Sequence, residues 1–154
     1  MTLYLVRHAK AGSRRNWDGE DTMRPLSKKG WAQAEALADR LISAMPTALR
    51  SSPYVRCRQT LEPLAARLGI DVVDEEALRE GASFGETFRL LADLPDGAVC
   101  CSHGDVISET IAGLHRRGMR VDAEPLWTKG SVWLLERDGD EFTTADLWPP
   151  PPDS

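Results

Sequence analysis

Cysteine is scarce in this 154-residue chain, which carries only Cys57, Cys100 and Cys101. An odd count with two vicinal members makes no disulfide framework and offers no C-x-x-C pair for a metal or for thiol exchange, so a reducing compartment is expected. A basic excess is also lacking: 19 Lys and Arg stand against 24 Asp and Glu, a formal charge of −5 with a pI near 5.2. Nucleic-acid polymers and anionic membranes reward the opposite balance, so neither is an expected partner. There is no basic leader and no apolar run long enough to cross a bilayer, and a cytoplasmic location is expected. Internal repeats, a dividing linker, a P-loop and an H-x-x-x-H pair are all missing. Residues 1–148 should form one domain, with residues 149–154 a proline-rich, extended tail. Lysine is the scarcer base, four residues against 15 Arg. Arginine suits bidentate capture of phosphate and carboxylate, although a GC-rich genome produces the same bias.

What is present alternates between two periods. Leu3–Val6 is a short, branched apolar run that reads as a buried strand and stops at the charged pair Arg7-His8. Ala9 to Pro25 is an aperiodic loop. Ser27 then caps an amphipathic helix with Trp31, Ala34, Leu37, Ala38, Leu41, Ile42 and Met45 at helical spacing, ended by Pro46. A strand is expected at Thr47–Ser51, a helix from Ser52-Pro53 to Gly69, a strand at Ile70–Val73 and a helix from about Gly85 to Leu94. Ala98–Cys101 reads as a fourth strand, stopping at Ser102-His103-Gly104 before another helix that ends near Gly118. Ser131–Glu136 and Glu141–Leu147 flank Asp138-Gly139-Asp140, a hairpin signal. The expected fold is therefore α/β: a three-layer α/β/α arrangement around a mainly parallel sheet, with an antiparallel strand from the C-terminal hairpin.

In open α/β sheets ligands bind beyond the carboxyl ends of the strands. Two of the three histidines fall there, His8 after the first strand and His103 after the fourth, whereas His115 reads as a packing or surface residue on a helix. Arg7 ends a buried strand, a costly place for a charge unless a partner meets it. Arg56 sits in the first turns of a helix that follows a strand, while Arg58 beside it reads as a solvated helix arginine. Arginines at such an edge, near helix N-termini, build a site for a phosphoryl dianion. A metal hydrolase using His8, His103 and Asp105 is the competing arrangement, but Arg7 would repel a cation and no carboxylate cluster lies near His8.

Leu5-Val6-Arg7-His8-Ala9, the stretch from Ser52 to Thr60 and Ser102-His103-Gly104 resemble, in order and spacing, the signatures of the histidine phosphatase (phosphoglycerate mutase-like) superfamily. Arg24-Pro25-Leu26-Ser27 with Gly30, Gln33 and Ala34 resembles its small SixA-like branch. Lys129-Gly130-Ser131 with Trp133, and Thr144-Ala145-Asp146, are similar to the phosphatase half of MutT-type Nudix fusion proteins. The resemblance implies that His8 is a nucleophile that becomes phosphorylated, that Arg7, Arg56 and His103 complete the phosphate pocket, and that Glu80 stands where many members keep a proton donor. It implies no metal and no cofactor, and a phosphorylated small molecule or phosphoprotein as substrate. Ala9 replaces the usual Gly after the nucleophile. Gly12, Ser13 and Arg14 stand where mutases carry a Thr and an Asn. A metal-independent phosphatase is expected, with a phosphoglycerate-type mutase and a phosphate-binding module without turnover as alternatives. The roles of Ser13, Arg14 and Lys129 at the rim stay open at this level.

Overall fold

The computed structural model describes residues 1–152; Asp153 and Ser154, the end of the expected tail, lie outside the described residues. The elements run β1 (Thr2–Arg7), α1 (Lys28–Leu41), β2 (Ala48–Ser51), α2 (Val55–Leu68), β3 (Val72–Asp74), α3 (Phe84–Asp93), β4 (Ala98–Ser102), α4 (Gly104–Arg116), β5 (Arg120–Val121), β6 (Val132–Asp138) and β7 (Glu141–Trp148). They form one sheet in the order β3-β2-β4-β1-β6-β7-β5. β6 runs antiparallel to both β1 and β7, and the remaining pairings are parallel, as the alternation of elements implied.

The two-residue alternation of the strands sorts side chains between the layers. Leu3 and Leu5 of β1 and Ala98 and Cys100 of β4 pack with Ile107, Ile111 and Leu114 of α4 and Leu91 of α3. Val6, Val99 and Cys101 point the other way, onto Leu37 and Leu41 of α1 and Leu61 and Leu64 of α2. All three cysteines are free and buried. Among the described residues no helix is long and apolar enough to cross a membrane.

Several boundaries differ from the sequence expectation. α1 ends at Leu41; a 3-10 turn covers Ile42–Ala44 and Met45 is left-handed at φ 51°. Pro46 disfavours right-handed α geometry at Met45, so the chain must leave the helix early. α2 begins at Val55 rather than at Ser52, because the Ser52 N–H donates to the Cys101 carbonyl and prolongs the strand ladder (3.0 Å). β5 was not anticipated at all: two residues beside β7 are too short to show any period.

Candidate active site

Register brings the two histidines together. β1 and β4 are parallel neighbours with Arg7 opposite Ser102, so His8 and His103 are the next residues along each. The His8 N–H donates to the Ser102 carbonyl (3.1 Å), and the two rings meet edge to face with centroids 5.4 Å apart. On the other side of β4, Ser51 lies opposite Cys101, and β2 leads into the turn that delivers Arg56. All five residues expected from the sequence, Arg7, His8, Arg56, Glu80 and His103, line one cleft of about 340 Å3. Arg14, Arg24, Gly104, Asp105 and Lys129 complete its walls. His115 is elsewhere, on the exposed end of α4 with its Nδ1 at 3.0 Å from the Met119 carbonyl. Arg58 is part-exposed and pairs with Asp74, outside the cleft.

The protonation of the two imidazoles follows from their partners. His8 Nδ1 lies 2.8 Å from the Ala9 carbonyl, which can only accept, so Nδ1 carries the proton. Burial, and then the charges of His103, Arg56 and Arg7, pushes the His8 pKa down to about 3, although the Ala9 hydrogen bond works in the other direction. The ring is neutral and Nε2 keeps a free lone pair. His103 Nε2 lies 2.8 Å from Ser52 Oγ, which also accepts the Tyr54 N–H at 3.3 Å. If Ser52 accepted both, its buried hydroxyl proton would be orphaned; donating to His103 Nε2, which Cys57 Sγ also approaches (3.5 Å), gives that proton a partner. His103 is then protonated on Nδ1, a buried donor without a partner in the protein.

Nδ1 of His103 is not alone. Among the described residues five buried side-chain polar atoms lack a partner, and three are on residues that line this cleft: Arg7 Nε, Arg56 Nε and His103 Nδ1. Buried donors are ordinarily paired, so three orphans on residues that line one cleft mark it as a place for acceptor oxygens. The other ends of the arginines are fixed. Arg7 Nη1 donates to the Trp127 carbonyl (2.6 Å), and Arg56 donates from Nη1 to the Asp21 carbonyl (2.8 Å) and from Nη2 to its carboxylate (3.1 Å). Asp21, missed in the sequence, also accepts from Arg24 Nε (3.0 Å). Burial pushes its carboxyl up, but the hydrogen bonds and charges of Arg24 and Arg56 outweigh burial and hold it below the usual range. Gly104 lies tight against Arg7: a Cβ there would stand 3.1 Å from the guanidinium carbon, so the arginine would have to shift. Burial, followed by the charges of Arg7 and Arg24, lowers the Lys129 pKa, a sign of how much positive charge gathers here.

The remaining motif residues hold the loops. Thr60 Oγ1 accepts the Ala9 N–H (2.9 Å) and donates to the Arg56 carbonyl (2.7 Å), locking the His8 loop to α2. Gln33 accepts from the Lys10 N–H (3.1 Å) and donates to the Lys129 carbonyl (3.0 Å), clamping two rim loops together. Gly30 lets α1 pass beneath Lys10, whose carbonyl would lie 1.9 Å from any Cβ. The loop bearing Glu80 is tied at both sides: Ser102 Oγ donates to the Leu78 carbonyl (2.6 Å), and the Gly81 N–H donates to Asp105 (2.9 Å). Glu80 thereby stands 3.7 Å from Arg56 Nη2. Among the described residues no cluster of three His, Cys, Asp or Glu side chains could hold a metal ion.

Residues 3–89 match the family described as the histidine phosphatase superfamily (branch 1). The chain belongs to that superfamily. It is 39% identical to an 8-oxo-(d)GTP phosphatase of Mycolicibacterium smegmatis over 97% of its own length, and spans 48% of that protein. Among solved structures it resembles the protein histidine phosphatase SixA complexed with tungstate (TM-score 0.74, 21% identity, 94% of this chain and 96% of that one). It also resembles a SixA-type phosphohistidine phosphatase of Nakamurella multipartitia (TM-score 0.70, 26% identity, 96% and 93%). These likenesses match the α/β architecture and the histidine-dependent phosphatase class expected from the motifs.

Proposed function

We propose that this chain hydrolyses phosphorylated substrates through a phosphohistidine formed on His8. The observation that carries the reading is a neutral His8 whose Nδ1 is tied to the backbone, leaving Nε2 as its one reactive nitrogen, beside three unpartnered buried donors. Nε2 attacks phosphorus in line, the N–P bond forms, and the ester P–O bond breaks. Glu80 delivers a proton to the departing oxygen, then accepts one from the water that cleaves the N–P bond and frees phosphate. Arg7, Arg56 and His103 hold the equatorial oxygens through fixed donors, each worth on the order of 3 kcal/mol in the transition state. The guanidinium groups bring the positive charge themselves, so no metal is needed. Three buried free thiols fit a reducing, cytoplasmic setting. The relatives' names suggest two substrate classes, a phosphohistidine protein and an oxidised guanine nucleotide; both keep a phosphoryl group as the attacked centre.

Quenching during turnover tests the mechanism. An acid-labile, base-stable phosphoryl group should appear on the peptide containing His8, and orthovanadate should inhibit while EDTA should not. His8→Ala retaining wild-type turnover, or activity restored to a chelated sample only by added metal, would overturn it.

A further inference from the structure

The phosphate cleft has a neighbour. A second cavity of about 290 Å3 is lined by Arg14, Trp17, Gly19, Asp21 and Glu80, and Arg14 and Glu80 line both spaces. Glu80 therefore stands at the junction, where a proton donor meets the departing oxygen, and whatever that oxygen carries extends past it into the second cavity. Trp17 is the one exposed aromatic side chain among the described residues, at 37%. Its indole does not hang free: Nε1–H donates to the Glu20 carbonyl (2.8 Å), and a Cβ at Gly19 would stand 3.4 Å from that same nitrogen. An indole held by its polar atom and left partly uncovered is a preformed stacking platform.

Charge says which part of a substrate enters. Arg7, Arg14, Arg24, Arg56 and Lys129 surround the two spaces, opposed by Glu80, Asp105 and Asp21. Glu80 carries the proton it donates, so the cationic excess is three, and one phosphoryl dianion in the first cleft offsets most of it. Arg14, the one cation lining the second cavity, is paired there with Asp21 (3.6 Å), so no free guanidinium awaits a second phosphate, which favours an uncharged flat ring. We propose that the second cavity is the leaving-group subsite and that Trp17 stacks an aromatic base there, so that nucleoside monophosphates are the favoured substrate class. This rests on the phosphatase reading above, with the nucleotide phosphoryl group at His8.

Two measurements separate the subsite from the chemistry. The first is the ratio of kcat/KM for guanosine 5′-monophosphate to that for glycerol 3-phosphate. Trp17→Ala should lower that ratio roughly tenfold, the scale of one lost base–aromatic stack, and Trp17→Phe should keep most of it. The second is calorimetric binding of guanosine 5′-monophosphate to His8→Ala protein, which should weaken roughly tenfold when Trp17→Ala is added. An unchanged ratio, or His8→Ala protein that binds the nucleotide no more tightly than glycerol 3-phosphate, overturns the subsite. Binding that depends on Trp17 in a protein that turns over no phosphoester would instead refute the phosphatase reading and leave the subsite standing.

Discussion

Arg137 and Arg56 are both buried, at 8% and 1% exposure, on opposite edges of one sheet. Arg137 lies at the edge where β1 begins, and the protein uses it up. Its Nη1 donates to the Leu91 carbonyl (2.7 Å) at the end of α3, and its Nη2 pairs with Asp96 (2.9 Å). Arg56, at the carboxyl edge, is anchored at both Nη atoms by Asp21 but keeps a buried Nε with no partner. A buried arginine whose guanidinium ends on the chain, with no buried donor left over, is part of the fold. One with a donor left over is waiting for acceptor oxygens. The orphan alone does not decide, since Arg50 Nε and Trp133 Nε1 also lack partners away from the cleft. What sets the cleft apart is three orphans on residues gathered around one histidine.

The largest expected effect breaks that symmetry directly. Arg56→Ala should lower kcat a hundredfold or more, on the scale of a lost transition-state donor. Arg137→Ala should instead cost about 1–3 kcal/mol of unfolding free energy, because the carbonyls at the end of α3 lose their donor while Asp96 stays in water, with kcat per folded molecule kept. Urea unfolding and steady-state kinetics on both variants check this. A stability loss without a rate loss in Arg56→Ala would make the two arginines equivalent.

A smaller effect sharpens the same contrast with carboxylates. Glu75 is spent on Arg50 at 2.8 Å, whereas Glu80 lines the cleft. An alkoxide leaves poorly without a proton, while para-nitrophenolate and a protonated imidazole leave readily. Glu80→Gln should therefore cost roughly a hundredfold on an alkyl phosphate and only a few-fold on para-nitrophenyl phosphate or a phosphohistidine peptide. Equal losses on all three would return Glu80 to the solvent and leave the proton donor to another group.

Much of this was legible in the sequence because strand ends are. His8 and His103 follow apolar runs whose length and branching mark them as buried strands, and parallel neighbours place their next residues side by side. Glu80 was legible through its family position, although its neighbourhood looked like an acidic surface loop. Asp21 was not legible: it acts from an aperiodic loop, and only the folded chain brings it to Arg56, 35 residues away. Nor was Ser52, whose hydroxyl sets the tautomer of His103 across 51 residues. Gly30 and Gln33 could be read as motif members, but their purpose, close approach and clamping of two loops, is a property of three dimensions. Local pattern locates the groups proposed to do the chemistry, and tertiary contacts locate the groups that hold them.

The smallest expected effect is a slope, and it separates the two edges of the sheet by pH. A histidine in the unfolded chain titrates near 6.5, whereas His8 in the fold is held down to about 3, chiefly by burial. Between those values the unfolded state binds a proton that the folded state refuses. Stability therefore falls as pH falls through this window, by about 1.4 kcal/mol per unit once the unfolded histidine is charged. Paired carboxylates such as Glu86, held to about 2 mainly by its hydrogen bond from Arg79, also weaken the fold in acid, so the wild-type curve alone proves nothing. The difference between wild type and His8→Asn isolates the histidine. From pH 7 to pH 4.5 the variant should lose less unfolding free energy than wild type, by roughly 2–3 kcal/mol. Arg137→Ala, which removes a group charged throughout, should instead lower the whole curve without changing its shape in that range. Parallel curves for wild type and His8→Asn would mean that His8 titrates in the fold as it does in the unfolded chain, so that burial and the neighbouring arginines do not hold its imidazole neutral in acid.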